Sequence, residues 1–96
     1  MIRLNAFFTL KETADTDKVL ALAKELIDYS RKDEGNVAYD IFRSGTDPKV
    51  MMFCETWQNA DVLDKHSKSE HFTRLVPAIE AYTTNGLKCE QFEFGK

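Results

Sequence analysis

Residues 36–57 read NVAYDIFRSGTDPKVMMFCETW. Two runs rich in β-branched and aromatic residues, 36–44 and 50–57, flank the cluster Gly45-Thr46-Asp47-Pro48. Turn-forming residues between two runs of high strand propensity predict an antiparallel hairpin. Side chains alternate across a strand, so Val50, Met52 and Cys54 point one way, while Met51, Phe53 and Trp57 point the other. Ile41 and Phe42 oppose each other in the same manner. The hairpin is therefore apolar on both faces and needs cover on two sides, a requirement that shapes the whole fold.

Working outward, residues 2–10 alternate Ile2, Leu4, Ala6, Phe8 and Leu10 with Arg3, Asn5, Phe7 and Thr9, which predicts a first strand. Asp15 or Thr16 can cap a helix in which Val19, Leu22, Ala23, Leu26, Ile27 and Ser30 recur at three- and four-residue steps, with Gly35 as its stop. Its predicted length is about 18 residues, or about 27 Å. Beyond Trp57, Asn59 caps a short helix with Val62 and Leu63 inward; a further helix begins near Ser67, with Glu70 completing a capping box, and reaches about Tyr82. Pro77 is expected to bend or restart that helix, because proline lacks the donor the preceding turn needs. Residues 87–94 supply the last strand.

The order β-α-β-β-α-β is the ferredoxin-like α+β pattern, here one domain over residues 1–96. Helices on one side leave the other sheet face as a large apolar patch. A symmetric homodimer, face to face, is the simplest remedy, and two curling sheets could enclose a cavity lined by Phe, Trp and Met.

Composition narrows the partners. A chain of 96 residues with 43% apolar and 30% charged residues suits one globular domain that neither spans a membrane nor stays disordered. Its net charge of -3, with Arg3, Arg31, Arg43 and Arg74 scattered, offers no basic stripe for nucleic acid. The opening MIRLNAFFTL has too short an apolar run for a secretory signal, so a cytoplasmic protein is expected. Cys54 and Cys89 have no zinc or redox spacing and are expected to fill buried strands as reduced thiols.

Both histidines lie in His66-Ser67-Lys68-Ser69-Glu70-His71. Five residues apart on one continuous helix, they would diverge by about 140° and share no face, so no metal pair is expected. The capping box instead splits the segment between two helices. His66 then sits at a helix C-terminus, where the dipole favours its protonated form, and His71 in a first turn, where the dipole disfavours it.

These residues carry a family resemblance. The segment DEGNVAYDIFRSGTDPKVMMFCETWQNADVLDKHSKSEHF resembles the antibiotic biosynthesis monooxygenase (ABM) domain. Its marks are Glu34-Gly35-Asn36 opening strand two, Glu55-Thr56-Trp57 ending strand three, and the run from His66 to Phe72. The resemblance implies a dimeric α+β barrel and cofactor-independent oxygenation, by dioxygen, of a small electron-rich aromatic such as a quinol or anthrone. The same fold hosts haem-degrading oxygenases, whose Asn, Trp and His set this chain does not reproduce, and an isomerase of a phosphorylated sugar-like signal. A non-catalytic dimeric module that binds a small molecule is a further alternative.

For oxygenation, the expected base is His66, with His71 second, since imidazole titrates near neutral pH. Asn5 and the Trp57 indole are candidate oxyanion donors; Phe53, Phe7 and Phe72 are candidate walls for the substrate, and Trp57 can also stack on it. Asp40 faces either cavity or solvent. Glu55 is either an acid/base with raised pKa or, the favoured expectation, an ion-pair partner of Arg43 or Arg3 across the sheet.

Overall fold

A computed structural model describes residues 1–95. Its elements run β1 (Ile2–Thr9), α1 (Thr16–Ser30), β2 (Asn36–Arg43), β3 (Val50–Trp57), α2 (Ala60–Ser67), α3 (Glu70–Glu80) and β4 (Lys88–Glu93). The strands form one antiparallel sheet in the order β2-β3-β1-β4, the ferredoxin-like arrangement. The hairpin turn is closed by the Ser44 hydroxyl, which accepts from the Thr46 and Asp47 amides.

One sheet face carries the helices. Ile2, Ala6 and Phe8 of β1, Tyr39 of β2, and Met51, Phe53 and Trp57 of β3 form the core with Val19, Ala23 and Leu26 of α1 and Leu75 and Ile79 of α3. Burial of a side chain such as Phe53 contributes about 2–3 kcal/mol. The opposite face holds Arg3, Asn5 and Phe7 opposite Thr56, Cys54 and Met52. There Phe7 and Phe42 remain 43% and 53% exposed and border an apolar depression with Val50 and Met52. β4 is an exposed edge strand throughout, so Cys89 is exposed rather than buried as expected; Cys54 is buried.

Three local details differ from the sequence expectation. Helix α1 is capped by Asp15, which accepts from the Asp17 and Lys18 amides, yet it ends at Ser30, well before Gly35. Tight turns from Lys32 to Tyr29 and from Asp33 to Ser30 wind it down. Gly35, at φ +78°, instead serves the entry to β2, where a Cβ would lie 2.5 Å from the Val62 side chain on α2. Ser69 caps α3, not Ser67, whose hydroxyl donates to the Asp64 carbonyl within α2. The helix α3 also continues through Pro77: only one backbone donor is lost there, while Leu75, Val76 and Ile79 hold the buried face around it. Among the described residues, no helix is long and apolar enough to cross a membrane.

Candidate functional site

The joint between α2 and α3 builds the site. Asn59 caps α2 by accepting from the Val62 amide. At its far end, the Ser69 hydroxyl donates to the His66 carbonyl at 2.7 Å and accepts from the Phe72 amide at 3.3 Å. One side chain thereby ties the end of one helix to the start of the next. Because the helix is interrupted, the divergence expected on a continuous helix does not apply, and the two imidazoles lie 5.6 Å apart between ring centroids.

Both rings converge on Asp33, in the turn after α1. Its Oδ2 lies 2.7 Å from His66 Nδ1 and 2.8 Å from His71 Nε2. A carboxylate only accepts, so each of these nitrogens carries the proton. His66 is 2% exposed and its other nitrogen, Nε2, is a buried lone pair without a hydrogen-bond partner among the described residues. Such an orphan is uncommon in folded proteins and costs about 1–3 kcal/mol. Burial pulls the His66 pKa down from 6.5, against the raising influence of Asp33. Desolvation therefore outweighs the helix-end effect expected from sequence, and His66 is a neutral imidazole at neutral pH.

Aromatic rings enclose it. The Trp57 ring is 4.5 Å from His66, Phe72 5.3 Å and Tyr39 5.6 Å, while Tyr29 stacks on His71 at 5.6 Å. Behind Trp57 lies Glu55, whose Oε1 accepts from the indole N–H at 3.0 Å. Burial pushes this carboxyl up to about 7, with the indole and the Tyr39 hydroxyl acting against the shift. The expected ion pair with Arg3 or Arg43 does not form. Strand parity places Arg3 on the other face, where it donates to Asn5 Oδ1 and Cys54 Sγ, and Arg43 donates to the Pro48 carbonyl. Glu55 and His66 thus lie on two sides of one indole, a buried carboxyl with a raised pKa hydrogen-bonded to it and a buried imidazole with a lowered pKa packed against it. Asp33 and His66 also border an open cleft of about 490 Å³ whose rim carries Lys32, Lys65 and Lys68.

The structure thus brings together His66, His71, Trp57, Glu55 and Phe72, with Phe53 on the same sheet face in contact with Tyr39. It separates Asn5, Phe7 and Asp40 from them. Asn5 and Phe7 lie on the helix-free face, and Asp40 turns at the sheet edge to pair with Arg31 at 2.6 Å. Trp57 is present, but its N–H is already engaged by Glu55. Sequence reasoning missed Asp33 and Tyr39. Asp33 directly precedes the Glu34-Gly35-Asn36 mark, and a histidine pair that needs an acceptor was the available signal.

Comparison with known proteins agrees with this architecture. Residues 1–78 match the model of the family described as antibiotic biosynthesis monooxygenase. A crystal structure described as an antibiotic biosynthesis monooxygenase is 34% identical and superposes with a TM-score of 0.91 over 100% of both chains. A Bacteroides thetaiotaomicron protein, described as of unknown function and "Possible Oxidoreductase", is 47% identical, with a TM-score of 0.88 over 97% of this chain and 96% of that one. In Bacillus subtilis (strain 168), "Putative monooxygenase YcnE" is 29% identical over 79% of each chain. With most of its length matched by the family model and its sheet and helices superposed on family structures, the chain belongs to the antibiotic biosynthesis monooxygenase family.

Proposed function

We propose that the protein is a monooxygenase that uses dioxygen, without an organic or metal cofactor, to oxidise a small quinol- or anthrone-like aromatic. The observation that carries the reading is the buried, unpartnered Nε2 of His66, set among Trp57, Tyr39 and Phe72 and oriented from behind by Asp33. His66 Nε2 removes a hydroxyl or activated C–H proton from the substrate, and Asp33 stabilises the resulting imidazolium. The substrate anion gives one electron to dioxygen, and the radical pair joins to form a carbon–oxygen bond. The peroxide then loses the remaining hydrogen of that carbon together with its outer oxygen as water, leaving a carbonyl; one oxygen atom enters product and one leaves as water. The His66 imidazolium returns the proton needed for that departure, which restores the base, and Glu55, with its raised pKa behind the Trp57 indole, is the second acid/base group beside it.

The helix-free face supports a homodimer as part of this reading, since Phe7, Phe42 and Phe92 are exposed there on one sheet. A second reading, isomerisation of a small phosphorylated sugar-like molecule, draws on the three lysines at the cleft rim. Two of them, Lys65 and Lys68, are engaged by Glu34 and Asp64, which leaves the oxygenase reading ahead.

The test is oxygen uptake by metal-stripped protein with a panel of quinols and anthrones, beside His66→Ala and Asp33→Asn. The expected result is uptake above autoxidation, lost in His66→Ala and reduced in Asp33→Asn. Uptake equal to autoxidation across the panel, from folded protein, would overturn the proposal.

A further inference from the structure

Asp33, His66 and His71 come from three separate places: the turn after α1, the last turn of α2 and the first turn of α3. Each offers one ligand atom, and the three atoms lie within 4.8 Å of one another. Each ring is held independently of the carboxylate, His66 by Trp57 and Phe72 and His71 by Tyr29. We propose that this cluster is a binding site for one divalent first-row transition ion of the zinc and cobalt class, ligated by His66 Nδ1, His71 Nε2 and an Asp33 oxygen.

The donor set selects the ion. Two imidazoles and one carboxylate suit zinc, cobalt, nickel, copper or iron, whereas calcium and magnesium take oxygen ligands. The three donors are close enough for a modest rearrangement to form the site. Bonds of about 2.0–2.2 Å in tetrahedral arrangement hold ligand atoms about 3.4 Å apart, so the 2.7 and 2.8 Å contacts must open by roughly 0.6–0.7 Å, and the two ring nitrogens, which lie within 4.8 Å of each other, must draw in toward the same spacing. Side-chain rotation of Asp33 opens the first two distances, and a turn of the His71 ring, the less buried of the two imidazoles, closes the third. An entry path exists, because the cleft reaches Asp33 and His66, and water can complete the coordination from that side. Two of the three rim lysines are directed away from the carboxylate, Lys65 to Glu34 and Lys68 to Asp64.

Occupancy changes the chemistry of His66. An ion on Nδ1 takes the position of the proton donated to Asp33, so the ring's single proton moves to Nε2. The buried acceptor becomes a donor. The metal-loaded and base-competent forms are thus alternative states of one ring, and loading is expected to suppress any reaction that uses Nε2 as a base. The binding itself does not rest on the oxygenase reading.

Tag-free, metal-stripped protein titrated with Co²⁺ and followed by visible absorption tests the site, with Zn²⁺ displacement and Ca²⁺ as control. The expected result is one Co²⁺ per chain, displaced by Zn²⁺ and unaffected by Ca²⁺. His71→Ala and Asp33→Asn should each weaken binding by at least about tenfold, the cost of losing even an outer-shell partner. Circular dichroism identifies any variant that fails to fold, and His71, on the rim of the cluster, is the less disruptive of the two. Absence of a Co²⁺ spectrum, or binding that both folded variants retain, would mean a hydrogen-bonded Asp–His pair only and overturn the proposal. No substrate is used, so this result and oxygen uptake can fail independently.

Discussion

The two faces of the sheet are built from nearly the same kinds of side chain and meet opposite fates. On the helix side, Phe53 and Trp57 are fully buried, and polar groups such as Glu55 are sealed in with them. On the other side, Phe7, Phe42 and Phe92 stay about half exposed, and the polar residues Arg3, Asn5 and Cys54 bond among themselves. Enclosure, rather than composition, shifts the pKa of Glu55 and of His66. The same carboxyl on the open face would keep its water and its ordinary ionisation.

The strongest way to break this contrast is to cut the same sort of bulk from each face. Trp57→Ala should cost about 3–5 kcal/mol of unfolding free energy, through lost burial and an unfilled cavity. It also leaves Glu55 without its indole donor. Urea unfolding measures it, and a cost below about 1 kcal/mol would mean the helix side is not closed in solution.

A sharper test uses pH. The Glu55 pKa is raised from 4.5 to about 7, so between those values the unfolded chain releases a proton that the folded chain keeps, and stability falls as pH rises. At roughly 1.4 kcal/mol per pKa unit, the penalty reaches roughly 3 kcal/mol above pH 7. Glu55→Gln keeps an acceptor for Trp57 and removes the titration, so the variant should exceed the parent in stability at pH 8 and match it near pH 4. An equal difference at both pH values would show that Glu55 is not sealed. His66 acts in the opposite sense: its pKa is lowered from 6.5, so stability declines as pH falls below 6.5 and the unfolded chain takes up the proton first. The Gln variant should expose that acid-side decline alone.

The smallest effect belongs to the open face. Phe42→Ser should change the unfolding free energy of the dilute monomer by no more than about 0.5 kcal/mol, as surface substitutions usually do. If two copies meet on this face, the variant should weaken association in sedimentation experiments. A loss of monomer stability comparable to Trp57→Ala would erase the distinction between the faces.

This contrast also marks what the sequence could tell. Alternation gave the strands and their two sets of side chains, because it depends only on neighbours along the chain. It could not say which set the helices would cover, since Phe7 and Phe53 look equally apolar. Sequence alone therefore leaves Asn5 and Phe7 beside Trp57 as candidates, and the structure separates them by the thickness of the sheet. The break between the histidines was legible from its serines and Glu70, but not which serine caps: Ser67 still lies within α2. Asp33 escaped notice because its partners are 33 and 38 residues away, a proximity that only packing creates.

The joint between α2 and α3 stores its information in length. One residue added between Ser67 and Ser69 would lengthen the joint by up to about 3.5 Å of chain and part the Ser69 hydroxyl from the His66 carbonyl it now reaches. His71 would be carried away from Asp33 and Phe72 away from His66 without any existing side chain being altered. The hairpin turn is the contrasting case, since space around Gly45 is open on the Cβ side. An insertion there leaves the imidazole pair in register, whereas at the other joint a single added residue disassembles it.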